Sequence, residues 1–412
     1  MLTNYFKIAI AVLKRRKFFT FISLFGISFT LTIIIVTTAF VDNVISNNYP
    51  EVNRDRSLYI NFLQQRNSKF GSEMNGPASY YYMDKYVNSL KTPEKVAIAS
   101  LFMPVNAYVN NKKLVVNNKF TNEGWWDVMQ YEFLEGKPYT QQQIDNGDRV
   151  AVITDDLKKN YFGDVPAVVG KFIEVDNVQY RITGVVKSVP VTMLISYADL
   201  FAPYTVSKSD YKSKEFAGIY SAVLLAHSKA DIPKMQQEYA DVVAKIRPDR
   251  KDFDQFKSNA DTYVASFTRQ MSNENDGTGL SFLITVAVIF ILFFMLLPTL
   301  NLVNINISRI MERSSEIGVR KAFGASSKTL VWQFITENII LTFFGAVIGI
   351  LLSFVILQAI NNSNLINNIH LSINFTVLMF SLLATLVFGL LSGVYPAWRM
   401  SRLQVVTALK AQ

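Results

Sequence analysis

Four long apolar runs interrupt a chain that is otherwise mixed in polarity: Phe18–Val41, Leu280–Thr299, Leu330–Leu357 and Phe375–Tyr395. About 20 apolar residues suffice for a helix to cross the hydrocarbon core of a bilayer, so each run predicts a crossing. Phe18–Val41 holds 24 residues without a charge. That exceeds the ~7–15 residues of a signal-peptide core, and no small-x-small cleavage site follows, so an uncleaved anchor is expected. Ahead of it, Leu2, Tyr5, Phe6, Ala9, Val12 and Leu13 fall on one helical stripe. Residues 1–17 therefore predict an amphipathic helix lying along the membrane interface.

Between the first two runs the period changes. Ser57–Phe62, Lys95–Ser100, Ala107–Val109, Lys113–Val116, Arg149–Ile153, Lys171–Val175 and Gln179–Val186 are short β-branched or aromatic runs. Asp176-Asn177 separates the last two as a hairpin turn would. Helical patterns occur at Ala78–Leu90, Thr154–Tyr161 and Ile232–Arg247, the last opened by Asp231 as N-cap with Pro233 just inside. The spacers 64–77 and 268–279 read as loops. Residues 42–279 thus predict an α+β region, long enough for one or two compact domains.

Charge orients these elements. Lys7, Lys14, Arg15, Arg16 and Lys17 precede the first run. Arg309, Arg313, Arg320, Lys321 and Lys328 lie between the second and third, and Arg399, Arg402 and Lys410 follow the fourth. The connection 358–374 carries no charge at all. Basic residues mark the cytoplasmic side, so four crossings with both termini inside satisfy every segment. These 13 bases leave 28 of the chain's 41 Lys and Arg, against 29 of its 32 Asp and Glu, within 42–279. The basic excess therefore belongs to the membrane-proximal inner face, where anionic lipid attracts it. A nucleic-acid partner has no basis here.

Catalytic chemistry is hard to find. His227 and His370 have no metal-ligand spacing, and without cysteine there is no thiolate or Cys-zinc site. Asp155-Asp156 reads as a pair of charges favouring a helix N-terminus. Trp125-Trp126 reads as a core anchor. The stretch Gly324-Ala325-Ser326-Ser327-Lys328-Thr329 lacks the two glycines spaced by four residues that a phosphate-binding loop needs. No enzyme activity, metal or cofactor is expected on this chain.

The segment 307–323 predicts a charged amphipathic helix between two crossings. Ile307, Ile310, Met311, Ser314 and Ile317 share one face, and Arg309, Glu312, Arg313, Glu316 and Arg320 crowd the other. Glu316 and Arg320 form a favourable i,i+4 pair. Gly324 follows as a natural stop, and Ser326 or Ser327 caps the next helix. Such a helix is either a docking face for a cytosolic partner or a solvated connector.

Its wording resembles a known family. Glu312-Arg313-Ser314-Ser315-Glu316-Ile317-Gly318-Val319-Arg320-Lys321-Ala322-Phe323-Gly324, followed by Gln333-Phe334, Glu337 and Gly345/Gly349, resembles the signature of FtsX-domain ABC transporter permeases of the MacB type. Tyr395-Pro396-Ala397-Trp398-Arg399 is similar to that family's ending. Gly136, Phe162-Gly163-Asp164, Val169-Gly170-Lys171 and Tyr180–Val186 are similar to its periplasmic core domain. The resemblance implies a permease subunit in a bacterial inner membrane, dimeric with a like or unlike second permease subunit. Here 17 residues precede the first run, where MacB-type chains carry their ATPase. ATP and magnesium are therefore expected on a separate ABC ATPase dimer, and a periplasmic adaptor or substrate protein is a further expected partner. It implies mechanotransmission, in which ATPase closure moves the outer domain. A regulator of cell-wall hydrolases and a membrane-anchored scaffold without ATPase are the alternatives.

The expected organisation is an interfacial helix at 1–17, crossings at 18–41, 280–300, 330–357 and 375–395, an extracytoplasmic α+β domain at 42–279, a coupling helix at 307–323 and a cytoplasmic tail at 396–412. ATPase contact is assigned to Arg309, Glu312, Arg313, Glu316, Gly318, Arg320, Lys321 and Gly324. Small-residue ridges at Gly345/Gly349 and Gly389/Gly393 are expected to pack together, since helices in lipid associate by close backbone approach. Glu337 is expected to face the inner headgroups.

Overall fold

The computed structural model describes residues 10–11, 14–15, 17–109, 111–269, 277–311, 319, 323, 326–363 and 365–401. It divides into two units, one of 44–283 with 366–369, and one containing the remaining helical segments. The expected helix at 1–17 and the tail beyond Ser401 lie almost wholly outside the described residues.

The first helix, α1, spans Lys17–Ile45, one turn beyond the apolar run. The α+β unit follows. Its strands are β1 (Ser57–Ile60), β2 (Leu63–Arg66), β3 (Glu73–Gly76), β4 (Lys95–Ser100), β5 (Met103–Val109), β6 (Lys112–Thr121), β7 (Phe133–Gly136), β8 (Val150–Thr154), β9 (Phe172–Val175), β10 (Val178–Val186), β11 (Leu200–Pro203), β12 (Tyr220–Leu225) and β13 (Gln255–Ser258). Among the described residues ten of them form one sheet in the order β1-β12-β4-β6-β11-β8-β10-β7, with β5 beside β6 and β9 beside β10. The other three form a small sheet, β13-β2-β3.

Alternation along the strands fills both faces of the large sheet. Ala151 and Ile153 of β8, Ile98 of β4 and Leu224 of β12 enter one core, together with Met235 and Tyr239. Val150, Val152, Ala97 and Leu225 enter the other, with Trp125, Phe201 and Tyr263. A strand buried on both faces reads as a continuous apolar run, as β8 and β12 do. Trp125 is 1 % exposed and anchors the second core.

Helix α2 (Asp155–Phe162) starts where Thr154 accepts the Leu157 N–H, and Asp155 and Asp156 stand in its first turn. Helix α3 (Ile232–Val243) has Pro233 in its first turn. Asp231 does not cap α3 through its side chain; its carboxylate instead accepts from the Ser228 N–H and hydroxyl. Helix α4 (Tyr263–Thr268) closes the unit. Asp176 and Asn177 take φ of 54° and 60°, as a two-residue hairpin turn between β9 and β10 requires. The expected loop at 64–77 is instead the β2–β3 hairpin, register-matched from Leu63↔Gly76 to Arg66↔Glu73.

Among the described residues the further helices are α5 (Leu280–Met311), α6 (Ser327–Asn362) and α7 (Phe375–Ser401). Among the described residues three helices are long and apolar enough to cross a membrane, in Lys17–Ile45, Val331–Asn362 and Phe375–Ser392. The apolar part of α5, Leu280–Phe294, is shorter. Helix α6 begins at Ser326, whose hydroxyl accepts the Thr329 N–H at 3.2 Å.

The small-residue ridges do not meet one another. A Cβ at Gly345 would stand 2.6 Å from Ile27 Cγ2, and one at Gly349 would stand 3.0 Å from the Ser28 carbonyl oxygen, so this ridge packs on α1. The Thr32 hydroxyl reinforces the crossing by donating to the Gly349 carbonyl at 3.2 Å. Gly389 lies instead against Thr342 of α6, and Gly393 follows one turn on in α7. Thr342 belongs to the same stripe of α6 as Gly345 and Gly349, at i, i+3 and i+7, so Gly389 meets that stripe about one turn ahead of the glycines, and the glycines themselves meet α1. Glu337 is 1 % exposed, so it does not face headgroups; the Gln333 amide donates to its carboxylate at 3.2 Å.

Candidate functional site

A helix ends with carbonyls that lack intrahelical partners. At the end of α1 they find Arg54. A turn at Arg54–Arg56 brings this side chain back so that Nη1 donates to the Val44 carbonyl at 2.6 Å and the Ser46 carbonyl at 2.8 Å. Nε donates to Glu51 Oε2 at 2.9 Å, Nη2 approaches Met193 Sδ at 2.9 Å, and the guanidinium lies 3.9 Å above the Tyr263 ring centre. The side chains of Arg54 and Glu51 are 2 % and 1 % exposed.

Burying an ion pair is costly unless its remaining hydrogen-bonding capacity is met. Here it is. Glu51 Oε1 accepts the Ser196 hydroxyl at 2.7 Å, and Oε2 also receives Tyr59 OH at 3.4 Å. Burial pulls the Arg54 guanidinium toward losing its proton, but the charge and hydrogen bond of Glu51 outweigh this and leave its pKa raised. Burial, followed by the Glu51 charge, pushes the Tyr263 hydroxyl up to about 12.

Tyr59 links this pair to the last part of the unit's chain. Its ring meets Tyr263 edge-on at 5.2 Å. Its N–H donates to the Asp261 carbonyl at 2.7 Å, and Asp261 returns the bond at 3.0 Å. The Asp261 carboxylate receives Arg269 through Nε and Nη2, both at 2.6 Å, a two-pronged geometry that suits a planar guanidinium. Arg269 Nη1 reaches the Gly277 carbonyl at 3.2 Å, and the Thr268 hydroxyl reaches the Thr278 carbonyl at 2.7 Å. Helix α5 begins at Leu280. The segment leaving α1 and the segment leading into α5 are thus both tied to β1.

Beside the pair lies Lys119, 2 % exposed, whose ammonium donates to the Ile195 carbonyl and sits 5.3 Å from the Trp125 ring centre. Burial lowers its pKa to about 7. Tyr131 OH donates to the neighbouring Ser196 carbonyl. Glu51, Arg54, Lys119, Asp261 and Arg269 are not singled out by any motif. The one local signal is Glu51–Arg54, opposite charges three apart just after a crossing.

Arg309 stands near the end of α5. Glu312, Arg313, Glu316, Gly318, Arg320, Lys321 and Gly324 lie outside the described residues. Phe323 is 88 % exposed. Among the described residues no group of His, Cys, Asp or Glu is placed to hold a metal ion.

Comparison with known families places these features. A family model described as MacB-like periplasmic core domain matches residues 20–242, and one described as FtsX-like permease C-terminal matches residues 288–405. The chain is an ABC transporter permease of the MacB/FtsX type. The arrangement of this permease, an apolar helix, the α+β unit and then further apolar helices, follows the order of the two matches. A Bacillus subtilis protein described as an uncharacterized ABC transporter permease, YknZ, is 22 % identical over 356 residues, covering 85 % of this chain and 84 % of that one. The macrolide export ATP-binding/permease protein MacB of Mannheimia succiniciproducens is 27 % identical over 304 residues, covering 73 % of this chain and 44 % of that one. The permease chain spans less than half the length of such MacB relatives. The solved periplasmic region of MacB from Actinobacillus actinomycetemcomitans is 16 % identical with a TM-score of 0.37, covering 54 % of this chain and 94 % of that one.

Proposed function

We propose that this permease transmits ATP-driven motion of a separate cytosolic ABC ATPase dimer to its α+β unit, held outside the cytoplasmic membrane. The observation that carries this reading is the common anchorage on β1: what moves the end of α1 or the start of α5 pulls on one strand of the large sheet. In this reading α5 is a fourth crossing, and both termini are cytoplasmic because the basic residues concentrate in 1–17, 300–329 and 396–412. Two permease subunits, alike or different, sit over two ATPase subunits. The work done outside is export with a periplasmic adaptor, extraction of a membrane-anchored protein, or signalling.

The ATPase docks on the segment 307–323, which opens in the last residues of α5 and leads on toward α6. The polar face there, Arg309, Glu312, Arg313, Glu316 and Arg320, supplies charges of both signs, and Gly318, Lys321 and Gly324 complete the segment. Removing one partner of a buried interfacial charge pair costs about 2–5 kcal/mol, and a rim charge far less. Glu316→Lys is therefore expected to weaken co-purification of the ATPase and abolish permease-dependent ATP turnover, while the permease still melts at its usual temperature. Unaltered association and turnover in Glu316→Lys and in Arg320→Glu, each made singly, would refute docking on this face.

A further inference from the structure

A buried ion pair at the end of a membrane helix is an expensive way to fill space, since apolar residues of similar volume are often as stable or more so. What an apolar pair could not do is hold carbonyls. The Arg54 fork joins the last carbonyls of α1 to Glu51, and Glu51 joins Tyr59 of β1 and Ser196 of the 188–199 connection. From Tyr59 the backbone bonds continue to Asp261, and Arg269 carries them to Gly277, just ahead of α5. Every link is directional, and the ring contact between Tyr59 and Tyr263 backs the longer 3.4 Å bond from Tyr59 to Glu51, so a displacement at one end strains bonds to buried groups.

We propose that Arg54 is the positioning residue of the transmission step, a latch that converts displacement of the α1 end into displacement of β1 and of the segment entering α5. The inference rests on the mechanotransmission reading above and deepens it by naming the residue through which motion enters the α+β unit. Arg54 touches no substrate or nucleotide; it acts by holding the Val44 and Ser46 carbonyls and Glu51 in one rigid fork. Lysine keeps the charge but offers a single nitrogen, which cannot reproduce the fork's fixed geometry. The latch therefore depends on shape as well as charge.

The test uses the full chain with its ATPase subunit in lipid nanodiscs. The sequence has no cysteine, so Lys113→Cys, an exposed position on β6, takes an environment-sensitive fluorophore alone. Wild-type Arg54 should give an ATP-dependent fluorescence change. Coupling between sites is commonly worth about 5–150-fold, and in Arg54→Met the change should fall about tenfold while ATPase association stays at the wild-type level. Arg54→Lys should restore only part of it. The double variant Glu51→Leu/Arg54→Met removes both members of the pair, so it keeps the fold even where the lone Glu51 of Arg54→Met costs stability, and it should be equally uncoupled. Lys119→Met, in the same core but without a bond to α1, should raise stability without reducing the fluorescence change. A full wild-type response in the folded double variant would overturn the latch while leaving mechanotransmission intact. A flat response in the wild type, with ATP turning over, would overturn both.

Discussion

Gly345→Ala should cost the helix bundle more than its size suggests. An added Cβ would stand 2.6 Å from Ile27 Cγ2 and 2.8 Å from Ile27 Cβ, where carbon atoms normally rest about 3.5–4.0 Å apart. Isoleucine in a helix has essentially one rotamer, so Ile27 cannot swing away and α1 and α6 must separate locally. Overpacking of this kind costs about 1–3 kcal/mol. It is offset by about 1 kcal/mol from the better helix propensity of alanine, leaving a net loss of about 0–2 kcal/mol. Gly26→Ala supplies the control, because nothing lies within 4 Å of a Cβ there, and it should stabilise by about 1 kcal/mol. The two variants should thus differ by about 1–3 kcal/mol in unfolding titrations of the detergent-solubilised chain. Adding Ile27→Ala should recover most of the Gly345→Ala overpacking, a coupling that a double-mutant cycle measures. Equal stability of Gly345→Ala and Gly26→Ala would refute the α1–α6 packing described here.

Lys119 makes stability depend on pH with a definite sign. Its folded pKa, about 7, lies below the unfolded value near 10.4, so between these values the unfolded chain binds the extra proton and stability rises with pH. The stability advantage of Lys119→Met over wild type should be largest below pH 7 and shrink steadily toward pH 10; a pH-independent difference would contradict a titrating amine. Topology is checked with single cysteines: an impermeant thiol reagent on intact cells should label Ser68→Cys and Ser207→Cys and spare Ser327→Cys and Ser401→Cys. Labelling at 327 from outside would end the four-crossing reading.

Much of the chain was legible because its signals are local. The apolar runs announce α1, α6 and α7, and β-branched patches announce β4, β8 and β10. The β2–β3 hairpin was not, because Leu63–Arg66 and Glu73–Gly76 are mostly polar and form the small sheet only through pairing with Gln255–Ser258, nearly 200 residues on. The residues around Arg54 were illegible for the same reason: Arg54 meets Met193, Glu51 meets Ser196, and Tyr59 meets Asp261. Glu337 misled because depth along a helix does not say which side faces the bundle; its burial with Gln333 depends on neighbouring helices. Gly345 and Gly349 marked a close helix contact, but spacing alone did not say that α1 was the partner.

The central claim is that nucleotide bound to a cytosolic ATPase alters the α+β unit. Amide hydrogen exchange in the nanodisc-held complex tests it at the Tyr59–Asp261 backbone pair, whose two N–H···O bonds join β1 to the segment before α4. A non-hydrolysable ATP analogue should change exchange at these two amides while the interior of β8 stays as protected as before. Identical exchange at Tyr59 and Asp261 with the ATPase empty and fully occupied would contradict the account.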